Sequence, residues 1–459
     1  MNQSENQITH GVIWKQLLLY FFPLLFGSFF QQLYNTVDAV IVGQFVGKEA
    51  LAAVGGSSAV LVNYFVGFFG GLAGGASVVI SQFYGAQQDK QVKDAVHTSL
   101  AIAAAGGVLF TLIGLIGAPI AVRAMGTPAS TVQDSVLYLR IFFAGMVPNL
   151  VYNMGAGILR AVGDSRRPLY VLIISCICNI ALDLLFVIGL HMGVAGVAIA
   201  TILCQTISAV LVLRILMRST ESFRVDLRQI RFRRNMLGRI IAMGLPTAIQ
   251  STMYSFSNIV IQSAINGFDT DAVSAWAAIG KVDAIYWMLI NSFGIAITTF
   301  VGQNYGAGSL DRVRGSIRQS LLITSVMTVA VSLFLYFPGT RLLYLFTSDA
   351  DVIARGTYMM RYLVSFYITY FMIEVFSGAL RGMGNSFMPM IITIGGVCIL
   401  RMAWLAIMLP RDHTIGNVMA SYPVSWVTSS LLLAGYYLLY MKKHHPLRAL
   451  NQKTEESEA

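Results

Sequence analysis

Four side chains stand where a charge is expensive. Asp38, Asn179, Asp183 and Glu374 interrupt long apolar stretches, and an ionised carboxylate in hydrocarbon must be neutralised, hydrated, ion-paired or cation-bound. Asn179 and Asp183 are four residues apart, so a helix places both on one face. Thr201 adds a hydroxyl early in the helical stretch after Ala195-Gly196. Carboxylate, amide and hydroxyl oxygens are the hard ligands that sodium takes, and two neighbouring acids can equally share one proton. Spacing alone establishes only the Asn179 and Asp183 pair. Asn35 and Asn153 are expected to support the acids through hydrogen bonds. Glu374, within Tyr370-Phe371-Met372-Ile373-Glu374-Val375-Phe376, suits contact with a cationic ligand or a second protonation point. Its structural reading is an ion pair to Lys281 or Arg401.

Aromatic and thioether side chains form adaptable walls, because ring faces attract cations and methionine moulds to different shapes. Tyr34, Tyr254, Tyr286, Met288, Tyr367 and Tyr370 are candidates for such a wall, with Asn258 as a polar contact. The sequence contains no Gly-x-x-x-x-Gly-Lys-[Ser/Thr], no His-Glu-x-x-His and no cysteine spacing of a metal site. Its cysteines, Cys176, Cys178, Cys204 and Cys398, lie in apolar stretches and read as small buried hydrophobes. Any uphill work must therefore draw on an ion gradient, and no catalytic residue is expected.

The elements that carry these groups are membrane spans. With 56% hydrophobic and 11% charged residues and a mean hydropathy of +0.68, the chain suits lipid as its main solvent. Apolar stretches near 17–43, 52–80, 96–118, 135–157, 168–190, 193–213, 240–265, 275–300, 317–338, 357–379, 388–409 and 417–440 are each long enough, at about 1.5 Å per residue, to cross roughly 30 Å of hydrocarbon. The fold class is all-α, an integral membrane protein of twelve transmembrane helices. Beta-barrel strands would be far shorter. No removable signal peptide is apparent ahead of the first span. Most Lys and Arg between spans fall on one side if both termini are cytoplasmic, as the positive-inside rule expects. The net charge of +10 then reflects topology and contact with membrane lipids, not nucleic acid.

The chain also repeats itself. Leu159-Arg160-Ala161-Val162-Gly163-Asp164-Ser165 returns as Leu380-Arg381-Gly382-Met383-Gly384-Asn385-Ser386, 221 residues later, and Gln82-Phe83-Tyr84-Gly85-Ala86 returns at the same offset as Gln303-Asn304-Tyr305-Gly306-Ala307. Three ungapped coincidences, with Arg140 and Arg361 as the third, argue for internal duplication. Gly163 and Gly384 suit positive φ at helix ends, Asp164 suits a local cap, and Pro168 and Pro389 suit the first turn of the next helix. The expected division is a cytoplasmic segment 1–16, a first lobe 17–213, a cytoplasmic linker 214–239 with an amphipathic piece on the headgroups, a second lobe 240–440 and a cytoplasmic tail 441–459. Six spans per copy make the repeats parallel, the anatomy of many secondary transporters. Pro23 and Pro246 each free a carbonyl and invite a helix bend.

These features together resemble the multidrug and toxic compound extrusion (MATE) family. The resemblance rests on Pro23 with Gln31-Gln32-Leu33-Tyr34-Asn35-Thr36-Val37-Asp38, on Gln82-Phe83-Tyr84-Gly85-Ala86, on the duplicated Leu-Arg-x-x-Gly element, and on Asn179-x-x-x-Asp183. It implies a V-shaped pair of lobes and the exchange of small organic compounds, often cationic and amphipathic, for protons or sodium. It places Asp38, Asn179, Asp183 and Thr201 in a first-lobe cation site, where sodium would bind. The stretch 250–265 holds Asn258 and Gln262 but no acid, a pattern closer to the bacterial DNA-damage-inducible (DinF-like) branch than to the sodium-driven branch with a carboxylate there. A multi-pass protein of the bacterial cytoplasmic membrane follows, a monomer with no obligatory protein partner and no cofactor beyond the coupling ion. The alternatives are a flippase for a lipid-linked precursor and, further off, a membrane receptor or enzyme.

Overall fold

The computed structural model describes residues 7–443. The expected tail beyond Lys443, including Arg448 and Lys453, and the first six residues lie outside the described residues. Everything regular within them is helical. Among the described residues ten helices are long and apolar enough to cross a membrane, and eleven spans result if the bent pair Ala129–Ala144 and Met146–Ala161 counts as one. The remaining expected span, 240–265, lies in Arg234–Asn266, whose 33 residues have ample length but carry many polar side chains. Helix starts follow the sequence repeat: Ile13 and Arg234, Asp89 and Leu310, Ala129 and Ala350, Arg166 and Phe387 each stand 221 residues apart.

The stretch read as one span at 135–157 is broken, with a 53° bend around Gly145. Pro148 explains the position: it has no N–H for the carbonyl of Ala144, and its ring crowds that carbonyl. Pro23 and Pro246, by contrast, both lie inside uninterrupted helices. The linker after Arg218, expected to hold an amphipathic piece on the headgroups, forms one 3-10 turn, Leu227–Gln229. It is tied to the bundle: Phe223 and Val225 are buried, Tyr84 Oη donates to Glu221 Oε2 at 2.9 Å, and the Asp226 N–H donates to His97 Nε2 at 3.0 Å. These anchors take the apolar side chains that a headgroup-bound helix would have presented to lipid.

The chain divides by its contacts into two compact units. The first gathers the described residues up to Thr252 with Ile295–Ser316 and Gly382–Phe387; the second gathers Met253–Gly294, Ile317–Arg381 and the described residues from Met388 onward. In the first, Met146–Ala161 packs against Ser57–Gly85, Asp89–Ala124 and Gly193–Arg218. Phe65 meets Phe110 and Phe143 edge-on, with centroids 5.2 and 5.0 Å apart. Lipid tails are as apolar as these rings, so close packing holds the unit together more than withdrawal from water does. Side chains such as Ile116 and Ile120 remain 74% and 70% exposed, as lipid-facing residues should.

The first unit also brings the duplicated turns together. Gln82 Nε2 donates to the carbonyl of Gly382 at 2.8 Å, and Gln303 Nε2 to that of Ala161 at 2.7 Å. Each carbonyl closes a helix, Ala350–Gly382 or Met146–Ala161, where intrahelical partners run out. A Cβ on Gly85 would lie 2.0 Å from the Gln303 carbonyl oxygen, and one on Gly306 would lie 1.9 Å from that of Gln82. Only glycine permits this approach. Beyond the helix ends Gly163 and Gly384 take φ of +94° and +89°, as their turns require, and Asp164 Oδ1 accepts from the N–H groups of Arg166 and Arg167 at 3.1 and 3.0 Å.

Candidate functional site

Two polar centres lie inside the helical units, one in each. In the first unit Asp38 belongs to Ile13–Ile41 and Asp183 ends Arg166–Asp183; these helices pack together. Both acids precede π-helical turns, Val42–Val46 and Leu184–Gly189, which touch one another. Wider turns of this kind shift side-chain register and often occur at functional sites. Ile41, Val42, Val187, Val194 and Val197, in and beside these turns, form a buried apolar cluster.

Asp38 stands within interaction range of Asp183, Asn179 and Tyr34, and Tyr34 in turn reaches Thr201. Tyr138, which sequence reasoning passed over, feels both carboxylates. Asn179 and Asp183 are fully buried and Thr201 nearly so. Yet Asp38 Oδ1, both Asp183 oxygens and both amide atoms of Asn179 are buried without a well-formed hydrogen bond among the described residues. Thr201 Oγ1 donates back to the Val197 carbonyl at 3.0 Å, leaving its lone pairs available. Such a cluster is costly unless a proton or cation joins it, and its oxygen-rich donors fit a hard monovalent cation. Asn35 lies on the exposed face of its helix, and Asn153 Nδ2 donates to Asn149 O and Oδ1 at 2.9 and 3.1 Å. Among the described residues neither forms a hydrogen bond to the acids.

In the second unit a cavity of about 480 Å³ is lined by Tyr254, Asn258, Tyr367, Tyr370 and Glu374. Tyr286 sits behind this wall, fully buried, its ring stacked on Tyr367 at 4.0 Å and its hydroxyl donating to the Tyr367 carbonyl at 3.1 Å. Met288 is not among the lining residues, and Tyr34 belongs to the acid cluster. Glu374 does not pair with Lys281 or Arg401. Its Oε2 meets Arg381 Nη2 at 3.6 Å and its Oε1 accepts from Tyr370 Oη at 3.3 Å. Arg381, seven residues on, lies two turns further along the same helix face. That proximity settles the choice of partner.

The cavity also holds two charged residues, Asp283 and Arg401, that the sequence reading did not place at a binding wall. Asp283 accepts from Tyr367 Oη and, at 2.5 Å, from Trp287 Nε1. The Asp283 and Trp287 spacing of four was a readable signal; the Tyr367 contact spans 84 residues and was not. Arg401 lines the cavity from the junction of the π-helical Ile394–Leu400 and Arg401–Met408. Its place in an apolar stretch was as conspicuous as that of Asp38.

The MatE family profile matches residues 23–185 and 246–407, one segment in each repeat. The chain is 28% identical over 448 residues to the probable multidrug resistance protein YoeA of Bacillus subtilis, covering 95% of this chain and 96% of that protein. It is 26% identical over 400 residues to YpnP of the same organism, also named a probable multidrug resistance protein, covering 87% and 89%. Among solved structures, a MOP superfamily transporter from Pyrococcus furiosus aligns over 96% of this chain and 99% of its own with a TM-score of 0.88 at 22% identity.

Proposed function

The chain belongs to the MatE family, and from that premise we propose that it is a secondary active multidrug exporter that exchanges organic compounds for protons or sodium by alternating access. It is a multi-pass membrane transporter and not an enzyme. One observation carries the coupling: the buried pair Asp38 and Asp183, with Asn179, has oxygens left without hydrogen bonds. Such a pair changes charge when a coupling ion arrives or leaves, and the adjoining π-helical turns give the helices room to respond. Pro23, in the same uninterrupted helix as Asp38, is where that helix bends during turnover. The second-unit cavity then binds the organic compound, with Glu374 a contact for cationic, amphipathic ones.

The energetics are of the right size. An ion moving down 100 mV gains about 2.3 kcal/mol, while a hundredfold gradient of a neutral solute costs about 2.7 kcal/mol. In the finer assignment the protein falls in the DinF-like branch, because Arg234–Asn266 carries Asn258 and Gln262 but no acid between 250 and 265. It works as a monomer in the bacterial cytoplasmic membrane, with termini inside and with 17–213 and 240–440 as the moving lobes. During turnover the paired glutamine bonds to Gly382 and Ala161 open and re-form; each contributes about 0.5–1.5 kcal/mol, little enough to be switched.

The test is transport in proteoliposomes with pH, sodium and voltage set independently. Export should accelerate with an imposed proton or sodium gradient. Accumulation indifferent to every gradient would sink the proposal, and flipping of a lipid-linked saccharide by the pure protein would replace it with the flippase reading.

A further inference from the structure

The charges around the second-unit cavity are not equally compensated. Glu374 has Arg381 and Tyr370; Asp283 has Tyr367 and Trp287. Arg401 is 3% exposed and has no carboxylate: among the described residues no Asp or Glu forms an ion pair with it. Its Nε and Nη2 both donate to the neutral Ser425 Oγ, at 3.3 and 3.0 Å, while that hydroxyl donates to the Tyr422 carbonyl. The guanidinium lies over the Tyr422 ring, 4.2 Å from its centroid. Cation–π attraction and one hydroxyl leave most of its five donors unused, and a buried, unneutralised guanidinium is strongly unfavourable.

A second unused donor lines the same cavity. Trp426 is 1% exposed and its Nε1–H has no acceptor among the described residues. Its ring stands 5.3 Å from Tyr422 and 5.5 Å from Tyr370, so the two donors are set among aromatic faces suited to a flat ligand.

We propose that the cavity takes aromatic compounds bearing a carboxylate, with the carboxylate held by the Arg401 guanidinium and the Trp426 indole N–H and the ring system lying among Tyr422, Tyr370 and Tyr254. This rests on the exporter reading for its purpose and adds a substrate class to it. Arg presents a planar fork that matches a carboxylate, which an amide of the same shape cannot replace as a partner. Asp283 and Glu374 keep their own donors, so the class extends to zwitterions.

Equilibrium dialysis of the purified full-length protein in lipid nanodiscs tests this with two probes of one shape, 2-naphthoate and 2-naphthamide. The wild type should bind the acid about tenfold more tightly, equivalent to about 1.4 kcal/mol. In Arg401→Gln that ratio should fall to near unity with naphthamide binding retained; Arg401→Lys should keep part of it. If Arg401→Gln fails to fold, shown by loss of naphthamide binding, Trp426→Phe decides: it keeps the ring, removes one donor and should reduce the ratio severalfold. No acid preference in the wild type, or a preference unchanged in these variants, overturns the subsite. Absent gradient-driven transport with the preference intact would instead overturn the exporter reading and leave the subsite standing.

Discussion

The two repeats place the same helices at the same offset but fill corresponding positions with opposite chemistry. Shifted by 221 residues, Asp38, Asn179, Asp183 and Thr201 correspond to Ile259, Leu400, Trp404 and Tyr422; in the other direction Glu374 and Arg401 correspond to Asn153 and Ile180. The first centre therefore concentrates acids with too few hydrogen bonds. The second distributes charge around an aromatic cavity and satisfies its acids internally. Duplication supplied one scaffold twice, and divergence at a few positions left an acid cluster in one copy and a charged aromatic cavity in the other.

The largest effect should come from the first centre. Asp38→Asn keeps shape and some hydrogen bonding but removes the titrating charge, so gradient-driven export in proteoliposomes should fall to background while the protein stays inserted and folded. Asp183→Asn should be nearly as damaging. If Asp38→Asn still exports uphill with wild-type dependence on pH and sodium, the division of labour is wrong and Glu374 becomes the coupling residue.

In the second centre Glu374→Gln should leave coupling intact and change substrate preference. Initial export rates across a series of cations and neutral analogues should shift by at most about tenfold, the equivalent of 1.4 kcal/mol, with cations losing most. A uniform loss for all substrates would break the contrast.

Packing at the duplicated turns and at the second centre should differ too. Gly85→Ala drives a methyl against the backbone carbonyl of Gln303, which cannot yield, and should destabilise by about 1–3 kcal/mol. Gly294→Ala meets the Glu374 carboxylate at 2.8 Å, the end of a side chain that can move; thermal unfolding should register a smaller loss while the substrate profile changes.

The smallest effect belongs to an exposed pair remote from both centres. Asp269 accepts from the Ala272 N–H at 3.0 Å and pairs with Arg355, and these partners hold its carboxyl below the ordinary carboxylate range. A depressed folded-state value gives stabilisation that is present above the ordinary range and lost as pH falls through the lowered one. The small difference in melting temperature between wild type and Asp269→Asn should therefore shrink on acidification, without effect on transport at neutral pH.

Much of the scaffold was legible because hydrophobic length is a local property of a chain. The bend at Gly145 was missed although Pro148 signals it, since an apolar run looks continuous when only hydropathy is read. Asn179 and Asp183 were visible as a helical pair; joining Asp38 and Thr201 to them needed the family resemblance. Arg401 was seen only as a possible mate for Glu374. Its setting depends on Tyr422 and Ser425 from another helix, and Glu374 found Arg381 on its own helix instead. Partner choice among buried charges depends on tertiary geometry that spacing does not encode.

The reciprocal glutamine contacts have the form of a twofold subunit interface folded into one polypeptide. Gln82 bonds to Gly382 and Gln303 to Ala161, residues that correspond pairwise at the repeat offset, so each copy offers the other the same donor and receives it at the same carbonyl. This is the self-complementarity of an isologous dimer. An ancestral protein of half this length would have had the contact ready-made between two chains, and its fusion required only a connection such as the one that now runs from Arg218 to Arg234.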